Sequence, residues 1–134
     1  MTTYFLDTNH LARAVDPRSN LLSRIRTELT AGSTFGTCAP VLCELEAGIQ
    51  QVADPPRYRR ALDRLLDRVR VWPLDRKTTV LYGELFNDLR RRGRILSQVD
   101  IMIAALARQR DACVLTTDGD FDAVPGLRRE NWLL

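Results

Sequence analysis

At 134 residues the chain is long enough for one compact domain, residues 1–134, that buries roughly two-thirds of its unfolded surface without disulfide or metal staples. Its three cysteines, Cys38, Cys43 and Cys113, are odd in number, lack CxxC spacing and sit beside apolar or small residues, so they read as reduced core thiols of a cytoplasmic protein. His10 is the only histidine, which excludes both a Cys/His zinc site and paired-histidine acid/base chemistry within one chain, and leaves hydrolysis to carboxylates.

No basic leader followed by an apolar stretch opens the chain, because Asp7 interrupts it, and no run approaches the roughly 20 apolar residues that span a bilayer. The expectation is a cytoplasmic protein with no membrane partner. Net charge is +3, and setting aside four acids as metal-bound would leave +7 on the remaining surface, enough to attract a polyanion. Nineteen of the twenty basic residues are arginine, which can hold phosphate through a bidentate fork, although a GC-rich genome also favours arginine.

Tyr4-Phe5-Leu6 reads as a short buried strand ending at Asp7, after which Thr8 or Asn9 can cap a helix that runs to Val15 and stops at Asp16-Pro17. A second helix spans Ser19 to about Ala31 and ends at Gly32. Thr34 to Cys38 is the next strand, and Pro40 opens a helix to Val52. Beyond Asp54-Pro55-Pro56 a further helix carries Ala61, Leu62, Leu65, Leu66 and Val69 on its apolar stripe, with Arg60, Arg64 and Arg68 elsewhere. Val71 to Leu74 is a third strand. A long helix from Asp75 presents Leu81, Tyr82, Leu85, Phe86 and Leu89 and ends in Arg90-Arg91-Arg92-Gly93. Ser97 opens another helix to about Arg110, Ala112 to Thr116 is a strand, and the tail from Leu127 to Leu134 supplies a last one. Short apolar strands alternating with helices predict a three-layer α/β/α domain with a mostly parallel sheet of about five strands.

In such sheets the ligand crevice lies beyond the carboxyl ends of the strands, so acids just after strands take priority. Asp7 follows the first strand and Asp118 follows Val114 to Thr117. Taken singly, each could be no more than a helix cap or a turn residue. Glu44 shares a helical stripe with Val41, Leu45, Gly48 and Val52, the side expected to pack inward, while Glu46 lies about 200° around the helix and is expected to face solvent. Asp100 shares a stripe with Ile103, Ala104 and Ala107, although Ser97-x-x-Asp100 is also a capping box. A buried charge costs several kcal/mol unless paired, and no lysine or arginine lies on either stripe. A cation is the natural partner, and hard oxygen ligands suit Mg2+ or Mn2+, the ions of phosphate chemistry. A haloacid-type phosphatase would want a lysine after a later strand, but the only lysine, Lys77, precedes a helix; the absence of a glycine-rich loop excludes a P-loop or dinucleotide site.

Phe5-Leu6-Asp7-Thr8-Asn9, Glu44-Leu45 within Pro40 to Gly48, Gly93 through Asp100 to Ala105, and Leu115-Thr116-Thr117-Asp118-Gly119-Asp120-Phe121 resemble, in order, the four acidic motifs of the PIN-domain family. Val124-Pro125-Gly126-Leu127 with Asn131-Trp132 resembles the ending of its VapC-type toxins, and the similarity covers almost the whole chain. The resemblance implies a metal-dependent ribonuclease in which Asp7, Glu44, Asp100 and Asp118 hold one or two Mg2+ or Mn2+ ions. It also implies an RNA substrate, a cognate antitoxin that covers the site, and a homodimer. The last motif is one residue shorter than the family form, so Asp118 and Asp120 compete for the fourth ligand position, with Asp118 favoured. Thr8, Asn9 and Thr117 either position ligands and water or serve as turn and cap residues, and His10 is expected to be a first-turn helix residue. Arg92 and Arg94, just before the helix bearing Asp100, are candidates to hold RNA backbone, against a solvated helix end. The alternative from another class is a non-catalytic RNA-binding or assembly domain of the same fold.

Overall fold

The computed structural model describes residues 1–133. Five strands, β1 (Thr3–Leu6), β2 (Thr34–Thr37), β3 (Arg70–Val71), β4 (Cys113–Leu115) and β5 (Arg129–Glu130), form one sheet in the order β3-β2-β1-β4-β5, every pairing parallel. The helices are α1 (Thr8–Val15), α2 (Asn20–Thr30), α3 (Ala39–Ile49), α4 (Pro55–Leu66), α5 (Arg76–Arg91) and α6 (Gln98–Arg110).

Strand order and right-handed crossovers fix the layers. From β1 to β2 to β3 the chain steps one way, carrying α1 to α4 on one face. From β3 it returns past β1 to β4, which puts α5 and α6 on the other face. Accordingly α1 packs on α2, α3 and α4, whereas α5 packs on α6 and α6 against β1. Because β1 and β4 lie inside the sheet with helices on both faces, their residues are continuously apolar: Tyr4, Phe5, Leu6, Cys113, Val114 and Leu115 are all buried. Tyr4 stacks on Phe35 at 5.1 Å between ring centroids, and Trp132 meets Tyr4 edge-on at 4.8 Å. A Cβ at residue 36 would lie 2.2 Å from the Trp72 ring, so only glycine lets that indole lie against β2.

Helix starts follow local chemistry. Asp54 caps α4 through the Arg57 N–H ahead of Pro55-Pro56, and Asp75 forms a reciprocal capping box with Thr78 at α5. α6 buries Ile101 and the whole run from Ile103 to Ala107, as a helix sandwiched between α5 and the sheet must. The sequence boundaries need four corrections. β3 is Arg70–Val71 and not Val71 to Leu74; α3 ends at Ile49 and not Val52; the tail contributes only Arg129–Glu130; and a 3-10 turn at Gly119–Ala123 follows β4. The end of the expected last strand, Leu134, lies outside the described residues.

Candidate metal and nuclease site

The order β3-β2-β1-β4-β5 reverses direction at β1, so the gap beyond the carboxyl ends of β1 and β4 is the topological switch point, where open parallel sheets bind ligands. Asp7 and Asp118 lie at that gap. Asp7 leaves β1 with its N–H on the Leu115 carbonyl at 3.0 Å and caps α1, its Oδ1 accepting the Thr8 N–H at 2.7 Å. Its Oδ2 accepts the Thr116 hydroxyl at 2.8 Å, and the same hydroxyl oxygen accepts the Asp118 N–H at 3.0 Å. Thr116, 1% exposed, thus ties the acids of the two central strands together. Asp118 caps the 3-10 turn, its Oδ1 accepting the Asp120 N–H at 2.8 Å.

Asp100 enters from the first turn of α6, where the Ser97 hydroxyl accepts its N–H at 3.1 Å. Among the described residues the reciprocal bond of a full capping box, Ser97 N–H to the Asp100 carboxylate, is not formed, so the carboxylate is not consumed as a cap. One carboxylate oxygen from each of Asp100, Asp118 and Asp120 can lie within 4.8 Å of the others. Burial, then the negative charges of Asp118 and Asp7, pushes the Asp100 carboxyl up to about 6. Burial also raises Asp7, aided by Glu44 and Asp118 and opposed by the bonds from Thr116 and Thr8. An all-carboxylate cluster whose members discourage one another's ionisation, with no cationic side chain bonded to it among the described residues, fits a hard divalent cation.

Asp100, Asp118 and Asp120 therefore converge, with Asp7 tied to Asp118 through Thr116, whereas Glu44 stands at the rim. It is exposed, not buried as its stripe predicted, and reaches the group through the Thr8 hydroxyl, which donates to its Oε1 at 2.8 Å. The buried stripe of α3 is Val41, Leu45 and Ile49, with Glu44 on its edge. Glu46 does not simply face solvent either: Arg59 of α4 donates to its Oε2 from Nε at 3.0 Å and Nη2 at 2.9 Å. Asn9 donates to the Thr117 hydroxyl at 2.9 Å, joining the first and fourth motifs across the gap.

Arg92 is held by the protein: it donates to Asp88 Oδ2 at 2.9 Å and to the Ala123 carbonyl at 2.7 Å, which anchors the 3-10 turn behind Asp118 and Asp120. Arg94 is exposed beside an apolar groove of about 360 Å³ formed with Phe86, Leu89, Leu96 and Ile101. His10 does sit in the first turn of α1 but is fully buried. Its Nε2 accepts the Trp132 N–H at 3.0 Å, and desolvation, with Arg13 nearby, pushes it down to about 4. Cys43 is exposed, contrary to its reading as a core thiol, whereas buried Cys38 and Cys113 are pushed up to about 11 and about 12. Sequence reasoning missed Thr116, for which the available signal was a hydroxyl continuing a fully apolar central strand.

The family model of the PIN domain matches residues 4–127, and the chain belongs to that family. It is 29% identical over 130 residues to ribonuclease VapC2 of Rickettsia felis, covering 96% of this chain and 97% of that protein. It is also 29% identical over 133 residues to the tRNA(fMet)-specific endonuclease VapC of Shigella flexneri, covering 98% and 99%. Among solved structures, VapBC2 from Rickettsia felis bound to a DNA fragment from its promoter superposes with a TM-score of 0.85 at 28% identity, over 98% of this chain and 99% of that one.

Proposed function

We propose that this chain is a Mg2+- or Mn2+-dependent endoribonuclease and the toxin of a toxin–antitoxin pair, acting as a single nuclease domain over residues 1–134. The observation that carries the reading is the carboxylate group of Asp100, Asp118 and Asp120 at the switch point, with Asp7 joined to it through Thr116. The names of its relatives, a ribonuclease and a tRNA-specific endonuclease, support RNA as the substrate. Similarity to a VapBC assembly supports a small antitoxin as partner. Val80 and Phe86 on α5, with Ile95 beyond it, stay 48%, 41% and 92% exposed, which supports association with a second copy. No helix among the described residues is long and apolar enough to cross a membrane, in keeping with cytoplasmic action.

Asp7, Glu44, Asp100 and Asp118 would hold one or two ions, with Asp120 competing for the fourth place. A bound ion supplies neutralisation of phosphate charge and activation of the attacking water. The protein's own work is orientation. Thr116 fixes the carboxylates of Asp7 and the backbone of Asp118, the Thr8 hydroxyl draws Glu44 inward, and Ser97 sets the start of α6 so that Asp100 faces the gap. Arg94, which makes no salt bridge among the described residues, would hold RNA backbone, whereas Arg92 serves by anchoring the turn.

Purified protein incubated with total RNA should give discrete fragments in magnesium or manganese and none in EDTA. Tight RNA binding with no cleavage in either metal would instead establish the non-catalytic binding domain.

A further inference from the structure

The acids lie at the carboxyl ends of the strands; the opposite, amino end of the sheet carries a concavity of about 440 Å³. Thr3, Thr34 and Arg70, at the starts of β1, β2 and β3, form one side, and Lys77 and Arg110, from the start of α5 and the end of α6, form the other over the Trp72 ring. We propose that this basic concavity binds phosphates of the RNA backbone as a second contact, remote from the acidic crevice. The proposal rests on RNA being the substrate.

Three observations converge. Arg70, Lys77 and Arg110 are exposed, and among the described residues none makes a salt bridge, so three cations share one hollow without an internal counter-ion. The Asp75 carboxylate, beside the hollow, is held by neutral donors, its Oδ1 accepting the Thr78 N–H at 3.1 Å and the amide of the lining residue Gln109 at 3.1 Å, and among the described residues it forms no salt bridge with the three cations. Lys77 occupies the first turn of α5, where the helix dipole disfavours a cation, so helix stability does not account for it.

The floor is also preorganised. The Arg110 guanidinium lies 5.0 Å from the Trp72 ring centroid, and Trp72, 6% exposed, is seated by the missing side chain of Gly36. Thr34 donates its hydroxyl hydrogen to Thr3 at 3.1 Å, which leaves the Thr3 hydroxyl hydrogen free to turn toward a ligand oxygen. Two guanidinium forks, one ammonium and a hydroxyl match phosphate oxygens. The crevice itself is a carboxylate cluster and repels RNA before a cation is bound, so attraction for the polyanion must come from elsewhere on the surface.

Asp100 and Arg110 stand ten residues apart on α6, about 15 Å at 1.5 Å per residue, a span of about four base-pair steps at 3.4 Å each. A folded RNA can therefore reach both sites and a dinucleotide, with its single phosphodiester, cannot. The experiment measures binding of a 20-base-pair RNA hairpin and of a dinucleotide in EDTA across salt concentrations, followed by cleavage of both in manganese. Arg70→Gln/Lys77→Gln/Arg110→Gln should make the log–log salt slope for the hairpin shallower by up to about 2.7, at roughly 0.9 per lost duplex contact. It should raise the hairpin KM several-fold with kcat unchanged, and leave dinucleotide binding and cleavage alone. Arg57→Gln/Arg60→Gln/Arg64→Gln on α4 removes the same charge and should change the slope less than half as much. Arg70→Gln/Lys77→Gln, which keeps the Arg110 stack on Trp72, should show a proportionate effect and exclude misfolding as the cause. Equal effects of the two triple variants, or no effect on the hairpin, would overturn the site. Failure of the wild type to cleave either RNA would count against the ribonuclease reading without touching the binding result.

Discussion

Replacing Asp100 by asparagine separates a metal ligand from a helix-cap residue. In the metal-free protein the Asp100 carboxyl is raised from 3.8 to about 6 by burial and by Asp118 and Asp7, so above pH 6 its ionised form opposes folding. A two-unit displacement corresponds to about 3 kcal/mol at most, and solvent screening of this half-buried group reduces it to about 1–2 kcal/mol. Asparagine keeps the shape and the Ser97 bond to its N–H but carries no charge. In EDTA at pH 7, Asp100→Asn should therefore melt no lower than wild type, and up to about 3–6 °C higher. With manganese at a hundred times its dissociation constant, wild type should gain about 2.7 kcal/mol through binding to the native state, and Asp100→Asn much less. Differential scanning calorimetry with and without the ion reads both signs. A variant that loses about 1 kcal/mol in EDTA, with manganese shifting both proteins equally, would refute the reasoning and leave Asp100 as a cap.

Glu44→Gln should abolish RNA cleavage, whereas Glu46→Gln should stay within several-fold of wild type and cost under about 1 kcal/mol, since the bond it loses to Arg59 is half-exposed; equal losses of activity would remove Glu44 from the site. Asp118→Asn should cost more cleavage than Asp120→Asn at saturating manganese, and the reverse order would give Asp120 the fourth place. For buried His10, held down to about 4 against 6.5 unfolded, the unfolded chain binds more protons between those values, so stability falls as pH drops from 7 to 4. Asp100 has the opposite sign over the same window, because its folded form binds more protons, so Asp100→Asn should steepen the acid loss in EDTA; an unchanged slope on denaturant titration at each pH would refute that opposition. Expression of wild type alone should arrest bacterial growth and Asp7→Asn should not, as read by colony counts, with arrest by a folded Asp7→Asn protein pointing to toxicity by binding.

The elements legible in the sequence are those whose cause is local. Tyr4-Phe5-Leu6 can only be a strand buried on both faces, and Asp54-Pro55-Pro56 can only open a helix. Asp7 and Asp118 could be placed at the carboxyl ends of the central strands because their positions after apolar runs follow from the same local signal. The features that escaped depend on distant partners. Val41 and Leu45 fit two neighbouring stripes on α3, and only packing against α1 and α4 decides that Ile49, and not Glu44, completes the buried one. Arg92 finds the Ala123 carbonyl 31 residues away, and His10 accepts from Trp132 across 122 residues. No periodicity encodes such pairings.

The capping roles suggested for Asp7, Asp100 and Asp118 and their place in the acidic cluster are compatible, because a carboxylate has two oxygens. Asp7 spends Oδ1 on the Thr8 N–H and keeps Oδ2 on Thr116, at the gap. Asp118 spends Oδ1 on the Asp120 N–H, and the bond from its own N–H to Thr116 aims the rest. Asp100 is positioned by Ser97, which takes the cap role itself. The backbone amides that need partners at a helix start thus also fix the acids' direction, so orienting them for a cation requires little further ordering of their side chains. It follows that charge and cap can be removed separately. Asp7→Asn retains an oxygen for Thr8 and should preserve α1 while losing metal affinity, whereas Asp7→Ala should lose both and cost about a further 1 kcal/mol of stability.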